Sequence, residues 1–217
     1  LFVSDVEGKF IQQVNRRSAE RVVEVKWMSD NKTLLFNQTI EGYTNLYSIA
    51  ADGNGMIKQL TTDKKNSRSI VLNKKRTQAV YLFGRDEVKL IDLKTFVPKT
   101  IVRDEIWGFQ NSDPGFSPDG EYVVFTAIRN FEQDIFVHNI KENKTTNLTN
   151  TGITEASPLW SSDGKFMYFT SQRLKAAYPF GMPNARVYRV PLENLDEPYR
   201  IDKFNDLFKE EKKDTTK

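Results

Sequence analysis

The chain has 217 residues, 38% hydrophobic and 12% aromatic, enough for one large folded domain. Its 32 Lys and Arg nearly balance 29 Asp and Glu, and the net charge of +3 gives no reason to expect nucleic acid or an anionic membrane as a partner. There is no cysteine, so disulfides and thiolate chemistry are excluded, and the longest apolar run, 122–128 broken by Thr126, is far short of the ~20 residues of a membrane-spanning helix.

Leu1 to Phe10 reads as the last two strands of a repeating unit. Leu1 falls in mid-strand with no Met or signal-like stretch, as expected of a piece of a longer chain. The second unit opens at Trp27-Met28-Ser29-Asp30-Asn31-Lys32, a turn in which Asn31 tolerates left-handed backbone. Strands are predicted at 33–36 and 45–49. Asp52-Gly53-Asn54-Gly55 then reads as a turn lacking the downstream acid of a calcium loop.

The third unit departs from this pattern. Its turn is Asn73-Lys74-Lys75-Arg76, with no Asp-Gly pair, and a wider or different turn is expected there. The basic runs Lys64-Lys65 and Lys74-Lys75-Arg76 read as solvated turns. The fourth unit is the clearest. Phe116-Ser117-Pro118-Asp119-Gly120-Glu121 makes a tight turn, in which Pro118 presets φ and Gly120 accepts positive φ. Strands follow at 122–127, 134–140 and 145–149. The fifth unit repeats it with Trp160-Ser161-Ser162-Asp163-Gly164-Lys165 and strands at 166–170 and 187–190. After Pro198 the pattern ends. Residues 202–217 carry ten charges among sixteen positions and read as a charged tail, with Phe204, Leu207 and Phe208 spaced for one short helix before a linker.

Three sets of positions keep these units in step. Trp27, Leu72, Phe116 and Trp160 lie 45, 44 and 44 residues apart, and so do Phe36, Tyr81, Phe125 and Phe169. Tyr47, Leu90, Phe136 and Tyr188 follow with looser spacing. A period of about 44 residues with short strands predicts an all-β chain, a partial β-propeller of about four and a half four-stranded antiparallel blades. The propeller segment is expected at 1–201, with blades near 1–18, 19–62, 63–106, 107–150 and 151–201. Cut edges would leave strands and apolar faces unpaired, so partial closure or pairing between chains is expected.

The residues give no catalytic site, metal site or cofactor site. The single histidine, His138, falls within a strand and is read as a partnered structural residue. Ser117 lies before a hairpin and reads as a turn residue. Asp30, Asp119 and Asp163 recur once per unit in separate turns and cannot converge on one ion. The Asn-x-Thr triplets at Asn31, Asn37, Asn143 and Asn147 are read as chance. The binding candidates are on loops. In a propeller the loops between second and third strands share one face with the inter-blade loops. That places Tyr178, Pro179, Phe180 and Met182 with Trp107 and Phe109 as a recognition patch.

The strings Phe116-Ser-Pro-Asp-Gly-Glu-Tyr-Val-Val-Phe125 and Trp160-Ser-Ser-Asp-Gly-Lys-Phe-Met-Tyr-Phe169 resemble the repeat shared by TolB-type and tricorn-type propellers, across Leu1 to about Ile201. The hairpin between second and third strands is enlarged at 173–188. Phe169 to Tyr188 spans 19 residues, against 11 for Phe125 to Phe136. That enlargement is similar to a propeller of bacterial tricorn-like serine peptidases. The resemblance implies a non-catalytic segment that filters or guides peptides to an S41-type catalytic domain outside this chain, so the parent would be a hydrolase. Implied partners are peptides or unfolded polypeptide segments and other domains of the parent chain. The alternative is a TolB-like scaffold that binds proteins and has no enzymatic role. The tricorn resemblance implies the cytoplasm and the TolB resemblance the periplasm.

Overall fold

The computed structural model describes residues 1–15, 20–107, 112–176 and 182–192. Every regular element among them is a β-strand. The first sheet pairs β1 (Phe2–Ser4) with β2 (Ile11–Gln13). The second runs β3 (Val22–Trp27), β4 (Thr33–Ile40), β5 (Tyr43–Ala50) and β6 (Lys58–Gln59). The third runs β7 (Ser67–Leu72), β8 (Gln78–Phe83), β9 (Glu87–Asp92) and β10 (Pro98–Arg103). The fourth contains β11 (Gly115–Phe116), β12 (Tyr122–Arg129), β13 (Glu132–Asn139) and β14 (Lys144–Asn147). The fifth contains β15 (Glu155–Trp160), β16 (Phe166–Ser171) and β17 (Arg186–Pro191).

Each strand pairs antiparallel with its neighbour in sequence, so each sheet is a meander. The middle strands of the second, third and fourth sheets are buried on both faces because a sheet lies on either side, whereas β16 of the fifth alternates between buried and half-buried positions. Phe36 and Tyr47 pack toward Val3 of the first sheet and Val14 just after it, while Leu35 and Leu46 meet Tyr81 and Ile91 of the third. Val80 and Leu82 then meet Phe125 and Phe136 of the fourth, and Val124 and Ile135 meet Met167 and Phe169 of the fifth. Burying these apolar faces is what holds the sheets together, and it yields a partial β-propeller. Three sheets have four strands; the described parts of the first and fifth have two and three.

The aromatic registers are cross-strand stacks. Ring centroids are 5.8 Å apart for Phe36 and Tyr47, 5.4 Å for Phe125 and Phe136, and 5.9 Å for Phe169 and Tyr188. Leu90 does not belong to this set. Tyr81 stands opposite Lys89, whereas Leu90 stands opposite Val80 and faces the fourth sheet. The cause is the turn. β4–β5 and β12–β13 are joined by two residues, but β8 and β9 are joined by three, Gly84 to Asp86. One extra residue flips the pleat, so the neighbouring apolar side chain falls on the opposite face. Lys89 occupies the register position, its Nζ 3.6 Å from the Phe83 ring centroid.

The expected difference at 73–76 is also absent. In all four turns the first residue donates its N–H to the carbonyl five residues on, and accepts from the N–H three residues on. The pairs are Met28 with Thr33 and Asn31, Asn73 with Gln78 and Arg76, Ser117 with Tyr122 and Gly120, and Ser161 with Phe166 and Gly164. The left-handed position is held by Asn31, Arg76, Gly120 and Gly164 in turn. The side chain of Asn73 supplies what Asp supplies elsewhere: its Oδ1 accepts from the N–H groups of Thr77 and Gln78. Composition hid a shared backbone hydrogen-bond pattern. The 202–217 tail lies outside the described residues.

Candidate functional site

Each sheet begins with its edge strand, and these edge strands touch in succession: β3 with β7, β7 with β11, β11 with β15. They form the inner wall. Three carry bulges, between Val22 and Glu24, Arg68 and Val71, and Ala156 and Leu159. Ser69 and Ser157 take φ values of 58° and 54° at two of them. Bulges free backbone N–H groups; at the first the Asn37 side chain of the same sheet is the acceptor for Glu24, and at the other two the preceding repeat supplies it. The Glu24 carboxylate accepts from Ser69 and Ile70, both at 2.8 Å, and the Ser112 hydroxyl accepts from Ser157 at 3.1 Å.

Between β7, β11 and β15 lies a cavity of about 750 Å³. Val71, Phe116, Pro158, Leu159 and Trp160 give it apolar walls, and Leu159 is 67% exposed within it. Lys74 and Asp113 add one charge of each sign. Arg68 stands nearby on β7. Burial lowers the pKa of its guanidinium below the ordinary value, against the opposing pull of Asp113 and Glu24. Its Nη2 donates to the Trp107 carbonyl at 3.2 Å.

That bond leads to the end of the sheets where second strands turn into third strands. Trp107 is 37% exposed there, in the connection between the third and fourth sheets. Met182 is half-buried in the connection between β16 and β17, and its carbonyl accepts from Ala185 at 3.1 Å. Phe109, Tyr178, Pro179 and Phe180 lie outside the described residues.

Phe131, which the sequence reading passed over, is prominent at this end. It is 91% exposed at the tip of the β12–β13 turn. Asn130 and Phe131 have φ of 50° and 68°. The connection carrying Trp107 is fastened beside it: Ile128 donates to the Glu105 carbonyl at 3.0 Å, and Arg129 grips Asp104 through two bonds of 2.7 Å. A signal for Phe131 was present in the repeat. The matching turn in the second sheet is Glu41-Gly42, with φ of 51° and 84°. Phenylalanine in a position suited to glycine costs about 1–2 kcal/mol.

The arrangement offers surfaces for contact. His138 is buried on β13, its Nδ1 2.9 Å from the Thr145 hydroxyl, and it is not part of the cavity wall. Ser117 lines the cavity, but its hydroxyl is engaged with Asp119 and accepts from the Tyr122 N–H. Among the described residues no group of three or more His, Asp or Glu is placed to hold a metal ion.

A family model described as the TolB beta propeller domain matches residues 77–196. The fold is similar to that of the tricorn protease, with a TM-score of 0.71 and 18% identity over 88% of this chain and 20% of that one. TolB from Acinetobacter baumannii gives a TM-score of 0.58 and 19% identity over 88% of this chain and 45% of that one. Oligogalacturonate lyase from Vibrio parahaemolyticus gives 0.62 and 14%, over 87% of this chain and 58% of that one. The chain thus spans about a fifth of the tricorn chain and about half of the others. No curated protein sequence matches it.

Proposed function

Because the chain belongs to the TolB beta propeller domain family, we propose that it is a polypeptide-handling propeller segment of a tricorn-like peptidase, guiding peptides to a serine-type catalytic domain elsewhere in the parent protein. The observation that carries this is the inner-wall cavity. Its walls are apolar and proline-rich, and Lys74 and Asp113 place opposite charges along it. An extended peptide offers side chains and a polar backbone of matching character. The likeness to the tricorn fold supports the reading, and the cytoplasm is the compartment that goes with it.

The test is fluorescence anisotropy with labelled unstructured peptides. Leu159→Ser with Asp113→Asn should weaken binding about tenfold while leaving the melting temperature in place, since Leu159 is largely exposed. Wild-type affinity in the double variant would remove the cavity from the account. The family match itself favours a second reading, a periplasmic TolB-like scaffold that docks folded proteins and has no enzyme attached. Under that reading no peptide binds the cavity.

A further inference from the structure

We infer that Asn54-Gly55 is a site of spontaneous covalent modification, at which Asn54 deamidates to aspartate and isoaspartate, while the fold holds back the same ring closure at the three Asp-Gly pairs of the chain. The four pairs are Asp52-Gly53, Asn54-Gly55, Asp119-Gly120 and Asp163-Gly164. In each, the glycine nitrogen can lose its proton and attack the side-chain carbonyl carbon of the residue before it. Glycine is suited to this because no side chain crowds the approach. From asparagine a C–N bond forms and the amide nitrogen leaves as ammonia, giving a cyclic succinimide. Water then opens the ring at either carbonyl. The balance is one water consumed and one ammonia released, with a carboxylate in place of an amide and no oxidant, reductant or metal. From aspartate the leaving group is water, and the same ring opens to isoaspartate.

The structure separates the four pairs. Gly53 donates its N–H to the Ala50 carbonyl at 3.1 Å, Gly120 to Ser117 at 2.9 Å and Gly164 to Ser161 at 3.0 Å. These nitrogens are committed to turns in which the glycines take φ of 71°, 82° and 74°. The carboxylates beside them are engaged as well. Asp119 and Asp163 accept from the Ser117 and Ser161 hydroxyls and from the N–H groups of Glu121 and Lys165, and Asp52 accepts from the Asn54 N–H at 2.9 Å. Gly55 differs. Its N–H and the Asn54 side-chain amide have no hydrogen-bond partner among the described residues. Both residues are exposed, in the connection between β5 and β6, and neither takes positive φ. The reacting nitrogen and the reacting carbon are thus both free to move.

The site lies on a tie between sheets. The Gln12 side chain, on β2, donates to the Asp52 carbonyl at 2.8 Å, two residues before Asn54. Isoaspartate lengthens the main chain by one methylene and sets a second carboxylate near Asp52, so the modification acts on the segment that joins the first sheet to the second. It also lowers the net charge by one from +3. The site is separate from the inner-wall cavity and independent of the peptide reading.

The test ages the full-length protein at mildly alkaline pH, folded or in guanidinium chloride. Each site is then read by mass spectrometry with fragmentation that distinguishes aspartate from isoaspartate. In the folded protein Asn54 should convert while Asp52, Asp119 and Asp163 keep their aspartates. Unfolding should speed the three Asp-Gly sites about tenfold or more and change Asn54 by less than about threefold, because only the former lose protecting bonds. Gly55→Ala, whose Cβ would meet only Ala50, at 3.4 Å, should slow conversion of Asn54 several-fold with the melting temperature unchanged. Three results overturn the proposal: an intact Asn54 in folded protein when the unfolded chain has converted, equal acceleration of all four sites on unfolding, or conversion of Gly55→Ala at the wild-type rate.

Discussion

The third and fourth sheets pack against each other along one apolar seam, and they meet the same structural demands with different residues. The fourth uses Ser117-Pro118-Asp119-Gly120 at its first turn and a stacked Phe125–Phe136 pair across its middle strands. The third uses Asn73 to Arg76 and a Tyr81–Lys89 pair. A buried Glu87 also ties its own strands together: its carboxylate accepts from the Thr100 hydroxyl at 2.6 Å and meets Lys65 and Arg103 at 3.2 and 3.3 Å. Burial works against ionising Glu87, but Thr100, Lys65 and Arg103 outweigh it and hold the carboxyl below its usual range. The backbone pattern is the shared requirement, and side chains are free to vary wherever another group supplies the same bonds.

The largest test of this contrast is truncation of the central pair. Phe125 is fully buried and stacked, so Phe125→Ala should cost about 3–5 kcal/mol in urea unfolding. Lys89→Met keeps the aliphatic stem and removes only an ammonium over the Phe83 ring and a long contact to Asp63, and should cost less than about 1 kcal/mol. Equal costs would mean that the third sheet relies on its register position as heavily as the fourth.

The turns give a smaller effect of opposite sign. Gly120 has φ of 82° and open space around it, so Gly120→Ala should cost about 1 kcal/mol through backbone strain alone. Arg76 holds the same position at φ 53°, so Arg76→Gly should relieve comparable strain, less the exposed bond to Asn31. Two losses in the thermal midpoints would show that the turns are not equivalent.

The smallest effect links the two sheets. Burial, followed by Lys99 on the facing sheet, lowers the pKa of His138 below 6.5. The unfolded chain therefore binds the proton more readily than the folded one. The stabilisation from a neutral His138 is complete above 6.5 and is lost as the pH falls below it through the folded value. His138→Gln should flatten this acid limb in unfolding midpoints measured from about pH 5 to 8. Lys99→Gln should flatten it only in part, because burial is the larger cause. An unaltered limb in His138→Gln would place the titrating group elsewhere.

These residues also show how far the sequence could be read. Trp27, Leu72, Phe116 and Trp160 each close the first strand of a sheet, so a period counted on aromatic and apolar letters found the architecture. Leu90 was misplaced because side-chain direction depends on the parity of a turn, and Gly84-Arg85-Asp86 does not reveal its length in letters. The 73–76 turn looked different because Asn73, two positions before the place held by Asp30 in the second sheet, reaches the corresponding pair of N–H groups with its amide oxygen. The cavity joins residues from three inner strands up to 91 positions apart, Val71 to Ser162, which no local pattern brings together. Phe131 was legible only by setting it against Gly42.

Every backbone ladder among the described residues stays within one sheet, and every strand pairs with the strand made just before or after it. A chain emerging from the ribosome can therefore close each meander as soon as its last strand is out, with no need to hold an edge open for a distant segment. Synthesis and assembly then proceed in the same direction, each finished sheet presenting the apolar template on which the next one condenses.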